Sequence, residues 1–304
     1  MSFVPVLEIG GSHVTAARVE PHWCTVLPET VSRLPLDAGA AAPELIGAIA
    51  RCAATLGPLS GTHLRVALPG PFDYATGVGR YDVRVGKFDA LNGINLATML
   101  GQFLFPPPAT ISFLNDAAAF TLGEWFAGAG RGADRVVGIT LGTGVGSAFL
   151  DRGQLIDTGT TVPPQGRVDL LTIDHKPLEE TISTRAIIAA MAPGTSGVRE
   201  VTDRARAGDL PAEAALHRVF DKLGRALAPW LNTFHADALV VGGSIAQSWD
   251  LLAPALQAGI RSRNCDLTPR QAVHLDTAAL IGAAWSPEHS SPHHIASRRR
   301  RPHR

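Results

Sequence analysis

The sequence lacks the cysteine pattern of a disulfide-linked or zinc-binding protein. Its three cysteines, Cys24, Cys52 and Cys265, are far apart and include no CxxC pair. Such spacing favours neither a disulfide framework nor a cysteine-ligated zinc site. We therefore expect a reducing compartment, and the predicted location is cytoplasmic.

Long apolar runs and an excess of charge of one sign are also missing. No stretch of about 20 apolar residues could span a membrane, and no basic segment precedes the first apolar run, so no signal peptide is expected. The 27 basic and 27 acidic residues balance, which predicts no nucleic-acid and no membrane partner. Lysine is scarce and occurs only at positions 87, 176 and 222.

The chain nevertheless has ample material for a core, since 45% of its 304 residues are hydrophobic. An internal repeat relates residues 4–19 to residues 136–150. Each segment is an apolar strand, a glycine turn with a hydroxyl residue and a second apolar strand, which indicates a duplicated α/β fold. We predict a small α/β lobe over 1–112, on which a final helix at 278–285 packs, and a large α/β lobe over 113–277. The Ser, Pro, His and Arg content of 286–304 predicts a disordered tail.

Hydrophobic periodicity predicts the individual elements. Strands are expected over 4–9, 14–19, 29–33, 64–68, 111–114, 136–141, 145–150, 238–241 and 272–275, and helices over 43–56, 96–105, 117–126, 198–207, 211–234, 249–258 and 278–285. Residues 73–95 have no clear period and are interpreted as a long surface loop with a short hairpin. The triple proline at 106–108 ends a helix and is a candidate lobe boundary.

Three glycine turns follow predicted strands: Gly10-Gly11-Ser12, Gly142-Thr143-Gly144 and Gly242-Gly243-Ser244. Any one of them could be a simple tight turn. Three in one chain, two of them in a repeat, favour a nucleotide site in which main-chain N–H groups converge on phosphate oxygens. None matches GxxxxGK[ST] or a full GxGxxG before a helix, so P-loop and dinucleotide folds are disfavoured.

Asn115 and Asp116 stand where a predicted strand gives way to a helix. Aspartate is a favoured helix N-cap, and capping alone would explain Asp116. The same carboxylate, beside an asparagine and upstream of a glycine turn, also suits a general base for an acceptor hydroxyl. Both interpretations stay open on these residues alone.

Six segments together resemble the ROK family of sugar kinases, repressors and open reading frames. They are LEIGGS (7–12), PGP (69–71), LNDAAAFTLGEWFAGAGRG (114–132), ITLGTGVGSA (139–148), LEETIS (178–183) and VVGGSIA (240–246). The resemblance implies the actin-like ATPase fold, a duplicated ribonuclease H-like α/β fold with two lobes around a central cleft. It also implies ATP with Mg²⁺ and transfer of the γ-phosphoryl group to a sugar hydroxyl, usually on carbon 6.

The resemblance assigns roles to single residues. Asp116 would be the general base, and Glu8 would help to place Mg²⁺ directly or through water. Sugar contacts are implied for Asn115, Glu179, Gly70 and Gln165. Phosphate or nucleoside contacts are implied for Gly10, Gly11, Ser12, Gly142, Thr143, Gly144 and Gly243.

The chain departs from the family pattern at three places. Glu8 replaces the usual aspartate, which extends the carboxylate by one methylene. The cysteine-rich zinc box is absent, so no structural zinc is expected. Gln165-Gly166-Arg167 stands near the place of the Glu-x-Gly-His sugar motif, which exchanges a carboxylate for an amide.

Because of that exchange, the acceptor stays open between a glucose-like hexose and an amino-hexose such as kanosamine. The alternatives are a C7-cyclitol kinase of secondary metabolism, such as antibiotic biosynthesis, and a non-catalytic sugar-binding or regulatory protein. Repressor relatives carry a helix-turn-helix domain before the first phosphate motif, and none is expected here. Family analogy predicts a homodimer that binds a small-molecule sugar.

Overall fold

The computed structural model describes residues 3–22, 24–82, 86–173, 175–183, 187–188, 191, 195 and 197–285. The chain forms two compact units: unit 1 is Met1–Gly123 with Thr277–Arg304, and unit 2 is Glu124–Asp276. The predicted lobe division was at residue 112, and the triple proline at 106–108 lies inside unit 1. The predicted disordered tail at 286–304 lies outside the described residues.

Unit 1 is built on one mixed sheet with its core against two helices. Its strands are β1 (Val4–Ile9), β2 (His13–Glu20), β3 (Thr25–Val26), β4 (Ser32–Pro35), β5 (His63–Leu68), the short pair β6 (Phe72–Asp73) and β7 (Val78–Gly79), and β8 (Thr110–Asn115). The sheet order is β3-β2-β1-β5-β8, with β4 also paired to β2. Helices α1 (Ala42–Ala54) and α2 (Leu96–Phe103) complete the layer. In α1 the buried residues Leu45, Ile49 and Cys52 recur at helical spacing, so one face enters the core.

Helix α3 (Asp116–Ala127) follows β8 directly, and the division between the units falls inside it. Its first turns pack in unit 1 against the helix Ala278–Ala284, every residue of which is buried. The crossing is made by small residues, because a Cβ at Gly282 would overlap the carbonyl oxygen of Ala119. A Cβ at Gly123 would likewise overlap the carbonyl oxygen of Ala278. The two backbones therefore touch, and neither glycine can be enlarged without moving a helix.

Unit 2 repeats the plan with longer helices. Its strands are β9 (Arg135–Leu141), β10 (Val145–Asp151), β11 (Gln154–Leu155), the pair β12 (Thr172–Ile173) and β13 (Lys176–Pro177), β14 (Ala238–Gly242) and β15 (Pro269–Gln271). The main sheet has the order β11-β10-β9-β14-β15. Its helices are α4 (Leu178–Ile182), α5 (Val198–Arg206), α6 (Leu210–Phe234) and α7 (Trp249–Arg261). Among the described residues, no helix combines the length and the apolarity that a membrane crossing requires.

The two sheets share one topology. In unit 1, β1 and β2 form an antiparallel hairpin, and β5 and β8 continue from β1 as parallel strands. In unit 2, β9 and β10 form the hairpin, and β14 and β15 continue from β9 in the same way. The internal repeat predicted from the glycine hairpins is present in the backbone.

Two predicted strands are displaced. Residues 28–30 form a 3₁₀ turn that begins with a proline, so β4 starts only at Ser32 rather than near residue 29. The strand expected over 272–275 is wrong, since β15 ends at Gln271. Val273 and His274 donate their N–H groups to the Glu124 carboxylate and are withdrawn from strand pairing.

Candidate functional site

The candidate site of unit 1 lies at the carboxyl ends of three parallel strands. The register pairs Glu8 of β1 with Ala67 of β5, and Leu68 of β5 with Asn115 of β8. Chain segments that leave these strand ends therefore meet at one sheet edge, which is where ligands bind in open α/β sheets. The edge collects Gly10, Gly70, Asn115 and Asp116.

Asn115, and not Asp116, caps helix α3. The Oδ1 atom of Asn115 accepts a hydrogen bond from the N–H of Ala118 at 3.1 Å, the usual geometry of an N-cap. Its Nδ2 atom donates to the hydroxyl of Tyr74 at 3.0 Å. The capping interpretation of Asp116 is therefore replaced, because the neighbouring asparagine performs that role.

Asp116 is the first residue of α3 and is half-buried. Its Oδ1 atom accepts a hydrogen bond from the N–H of Ala117 at 2.9 Å. Burial raises the pKa of Asp116 above the usual aspartate value, while main-chain N–H groups and the charge of Lys87 act in the opposite direction. The raised pKa means that this carboxylate takes up a proton more readily than an exposed aspartate does.

Two tyrosines hold the Pro69–Pro71 loop, and neither belongs to a motif found in the sequence. The hydroxyl of Tyr81 donates to the carbonyl of Pro69 at 2.7 Å, and that of Tyr74 donates to the carbonyl of Leu68 at 3.3 Å. Burial raises the pKa of Tyr81, and the neighbouring Tyr74 and Asp116 raise that pKa further. They are the only two tyrosines of the chain, and both fall within 73–95. The occurrence of both tyrosines in this one segment was a sign of a functional loop that hydrophobic periodicity could not reveal.

The first glycine turn is compact and has basic neighbours. The N–H of Gly10 donates to the carbonyl of His13 at 2.8 Å, which closes the turn. Ser12 is exposed. A Cβ at Gly10 would lie 3.2 Å from Cε1 of His13, and a Cβ at Gly11 would lie 3.5 Å from Cδ of Lys87. No motif of the sequence places Lys87 at this turn.

Glu8, the predicted metal residue, lies near the end of β1 and is half-buried. The described residues contain no group of three or more His, Cys, Asp or Glu side chains that could hold a metal ion. Magnesium at phosphoryl-transfer sites usually takes one or two carboxylates, with phosphates and water supplying the rest. A single carboxylate beside the Gly10 turn fits that mode of binding.

In unit 2, glycine turns follow the neighbouring strands β9 and β14 at one edge of the sheet. The N–H of Gly142 donates to the carbonyl of Gly144 at 3.0 Å, and Thr143 is exposed. Gly243 follows β14 with φ +85°, and a Cβ there would overlap the carbonyl oxygen of Leu141 and lie 2.7 Å from its nitrogen. A Cβ at Gly142 would lie 3.7 Å from Oγ of Ser244. The two turns of unit 2 are therefore in contact.

The predicted sugar residues of unit 2 are less defined. Gln165 is exposed and has φ +59°. The following segment is fixed to β10, since the hydroxyl of Ser147 donates to the carbonyl of Gly166 at 2.7 Å and accepts from the N–H of Val168 at 2.9 Å. Glu179 lies on α4, and its side chain lies outside the described part of the structure.

The role of Glu124 was also not evident from the sequence. Its side chain is fully buried. Its carboxylate accepts three main-chain N–H groups, from Ala129 at 2.8 Å, Val273 at 3.0 Å and His274 at 2.6 Å. Glu124 therefore ties the glycine-rich segment after α3 to the segment after β15.

Comparison with known proteins gives the relationships of this chain. Glucokinase from Thermotoga maritima is 29% identical over 217 residues, which cover 62% of this chain and 66% of that protein. N-acetylmannosamine kinase from Escherichia coli O9:H4 is 31% identical over 221 residues, covering 66% and 70%. The DNA-binding transcriptional repressor Mlc from Escherichia coli K12 is 25% identical over 223 residues, covering 66% and 53%. The matched segment thus spans less than two thirds of both the glucokinase and the repressor.

A solved structure shows the fold. A ROK family glucokinase from Streptomyces griseus, in complex with glucose and AMPPNP, has a TM-score of 0.76 at 20% identity, covering 93% of this chain and 98% of that one. The predicted actin-like ATPase fold is confirmed by this likeness. The family model described as the ROK family matches residues 107–288, which is more than half of the chain, and the protein therefore belongs to the ROK family.

Proposed function

We propose that the protein is an ATP-dependent sugar kinase that transfers the γ-phosphoryl group to the 6-hydroxyl of a hexose or amino-hexose. The observation that carries this proposal is the division of roles at the start of α3. Asn115 caps the helix, so the adjacent carboxylate of Asp116 is not required for capping. A half-buried carboxylate with a raised pKa at a sheet edge is suited to proton transfer.

The proposed reaction is a single displacement at phosphorus. The sugar oxygen forms a bond to the γ-phosphorus while the bond from that phosphorus to the β,γ-bridging oxygen breaks. The hydroxyl proton passes to Asp116, and the products are a sugar phosphate and ADP. A positioned base of this kind contributes about 10²–10⁴-fold to the rate.

The phosphates are proposed to contact the glycine turns. The N–H groups of Gly10 and Gly142 close their own turns, so the donors for anionic oxygens are proposed to be other main-chain N–H groups of the turns and the hydroxyls of Ser12 and Thr143. The residues proposed for this role are Gly10, Gly11, Ser12, Gly142, Thr143, Gly144 and Gly243. Mg²⁺ supplies charge neutralisation of the phosphates when bound, and Glu8 is proposed to hold it directly or through water.

The acceptor is proposed to contact Asn115, Gly70, Gln165 and Glu179. The related glucokinase and N-acetylmannosamine kinase are named for a hexose and an amino-hexose, which supports this substrate class. Kanosamine stays a specific proposal, as do a homodimeric assembly and a cytoplasmic location. The main alternative acceptor is a C7-cyclitol.

A regulatory role is the second candidate, and the similarity to the repressor Mlc favours it. A regulator would bind a sugar without consuming ATP. A kinase must release ADP in proportion to the sugar phosphorylated. Sugar-dependent turnover therefore separates the two functions.

The test is a coupled ADP-release assay with MgATP over glucose, mannose, N-acetylmannosamine, glucosamine, kanosamine and cyclitols. We expect one hexose or amino-hexose to stimulate ADP release well above the rate without an acceptor. Asp116→Asn should abolish the stimulation, whereas Asp266→Asn, at an exposed loop position, should keep it. Sugar binding measured by calorimetry, with no ADP release from any acceptor, would favour the regulatory role.

A further inference from the structure

We infer that Lys87 is a catalytic residue whose ammonium group binds the phosphoryl group in transfer at the Gly10–Gly11 turn. This inference rests on the proposed kinase function and adds a residue that none of the sequence motifs includes. Four observations in unit 1 carry it: the position of the side chain, its anchoring, the chemistry of the turn and the proximity of Asp116.

The side chain of Lys87 runs along the bare Cα of Gly11. A Cβ built on Gly11 would lie 3.5 Å from Cδ, 3.6 Å from Cε and 3.7 Å from Nζ of Lys87. The distal half of the side chain therefore borders the space that a side chain at Gly11 would occupy, and the ammonium lies beside the turn. The absence of a side chain at Gly11 leaves this space to the lysine.

The next residue holds Lys87 in place. Phe88 is buried, and its ring packs against Tyr81 with centroids 5.5 Å apart. The N–H of Phe88 donates to the carbonyl of Ala38 at 2.8 Å. The backbone next to Lys87 is thus held by two contacts of Phe88, one through its ring and one through its N–H group. An exposed lysine on a loose loop would have neither constraint.

The turn itself has the chemistry of an anion site. Gly10 and Gly11 carry no side chains, and the exposed Ser12 hydroxyl lies 3.3 Å from Nδ1 of His13. The imidazole of His13 lies next to Gly10, and the side chain of Lys87 lies next to Gly11. A histidine and a lysine thus lie beside a turn whose two glycines carry no side chains. A compact, strongly charged ammonium is well suited to non-bridging phosphate oxygens.

Lys87 also acts on the proposed base. Its positive charge lowers the pKa of Asp116, against the larger effect of burial, which raises it. Tyr81 is a titratable neighbour of Asp116, since burial, Tyr74 and Asp116 together raise the pKa of Tyr81. One cation therefore neighbours both the carboxylate that would receive the proton and the turn that would receive the phosphoryl group. It would stabilise the charge that develops on the equatorial oxygens during transfer.

A structural lysine that merely neutralises Asp116 is the competing explanation. Such a lysine would not distinguish a nucleotide with a terminal phosphoryl group from one without it. AMPPNP carries this group and ADP does not. Comparison of the two nucleotides therefore tests the inference without any turnover.

The first experiment uses the wild-type chain and amine-directed acetylation mapped by peptide mass spectrometry. Only three lysines are present, at positions 87, 176 and 222, so each can be followed separately. We expect Mg-AMPPNP to slow acetylation of Lys87 more than Mg-ADP does, with Lys176 and Lys222 as internal references. Equal acetylation of Lys87 with the two nucleotides would overturn the inference.

The second experiment compares Lys87→Met with Lys87→Arg, and uses Lys222→Met on α6 as the matched control. We expect Lys87→Met to weaken AMPPNP binding in calorimetry by about 10-fold or more, because it removes a charge-assisted contact. ADP affinity and the thermal midpoint should change little. The kcat should fall by about 10²–10³-fold, and Lys87→Arg should retain part of the AMPPNP affinity.

The pH profile tests the electrostatic effect of Lys87 on Asp116, whereas the comparison of AMPPNP with ADP tests whether Lys87 also binds the phosphoryl group. Loss of the Lys87 charge should shift the acidic limb of kcat/KM to higher pH, since this charge lowers the pKa of Asp116. If the wild type is active as a kinase and Lys87→Met binds AMPPNP as tightly as the wild type, the role of Lys87 is overturned and the proposed kinase function stands. Selective protection of Lys87 by AMPPNP, with no phosphoryl transfer to any acceptor, would refute the kinase proposal and leave the phosphoryl site standing.

Discussion

In unit 1 the segments that follow the strands bring polar and charged side chains to the sheet edge, whereas in unit 2 the corresponding segments bring glycines. Asn115 and Asp116 follow β8, and Lys87 lies along the first glycine turn. In unit 2, Gly142 and Gly243 follow β9 and β14 and lie against each other's turns. The strand order is the same, so the difference lies in the residues placed at the strand ends.

This contrast teaches how a duplicated fold can carry two kinds of recognition. Side chains in unit 1 can exchange a proton or neutralise a charge, and their effects depend on pKa. The turns of unit 2 offer main-chain groups, and their effect depends on close packing that permits no Cβ. Substitutions in unit 1 should therefore change rates, and substitutions in unit 2 should change stability first.

The largest expected effect belongs to Asp116→Asn in unit 1. Removal of the proposed base should lower kcat by about 10²–10⁴-fold, measured by ADP release with the best acceptor. The variant should be at least as stable as the wild type at pH 7.5, because burial disfavours the charged carboxylate that it removes. A kcat within a few-fold of wild type would exclude Asp116 as the base.

The pH dependence follows from the same raised pKa. Below the unfolded-state pKa of about 3.9 the carboxyl is protonated in both states, so it carries no cost of burying charge. As pH rises through the folded-state pKa, the carboxyl ionises and the free energy of unfolding of the wild type falls, whereas that of Asp116→Asn does not. The difference in thermal midpoint between the two proteins should therefore grow from acid to neutral pH.

The next effect is the destabilisation expected for Gly243→Ala in unit 2. Gly243 has φ +85° and ψ 174°, and a Cβ there would overlap the Leu141 carbonyl. Backbone strain and overpacking together should cost roughly 2–6 kcal/mol, measured by urea denaturation. The matched change in unit 1 is Gly11→Ala, whose Cβ would have the flexible side chain of Lys87 as its nearest neighbour, at 3.5 Å. Equal losses at the two positions would break the contrast between the edges.

Glu124→Gln tests the contribution of buried hydrogen bonds to the stability of unit 2. An amide cannot accept the three N–H groups that the carboxylate accepts, so at least one buried donor loses its partner. The free energy of unfolding should fall by about 1–3 kcal/mol. Glu180→Gln, at an exposed helical position, is the control and should have no comparable effect.

The smallest expected effect separates capping from other roles at Asn115. Asn115→Ala removes the cap of α3 and should cost about 1 kcal/mol. Asn115→Asp keeps an oxygen for the Ala118 N–H and loses the donor to Tyr74. Thermal denaturation should show a loss for alanine that aspartate largely restores, and a similar loss for both would mean that the Tyr74 contact dominates.

Much of the fold was predictable because it is encoded locally. The glycine hairpins, the strands with continuous apolar residues and the amphipathic α1 all carry their pattern within a few residues. The roles of Lys87, Tyr81 and Glu124 were not predictable, since each depends on a partner that is distant in the sequence. The Glu124 contact with His274 joins residues 150 positions apart, and it also explains why the strand predicted over 272–275 does not form.

At the candidate site, the motif residues of unit 1 lie at one sheet edge because they follow strands that the structure shows to be parallel neighbours. Their chemical roles stay predictions. The distinction between Asn115 as the cap and Asp116 as the first helical residue was out of reach, because either residue type can cap a helix. Only the hydrogen bond to Ala118 separates them.

The buried helix Ala278–Ala284 has a consequence for how the protein is made. It belongs to unit 1, yet it is translated after all of Glu124–Asp276. On the ribosome the nascent chain therefore presents a complete unit 2 sequence while unit 1 still lacks a segment of its core. Synthesis runs from the N-terminus at about 5–20 residues per second, so residues 1–123 emerge before unit 2 and can complete their packing only after unit 2 has been synthesised.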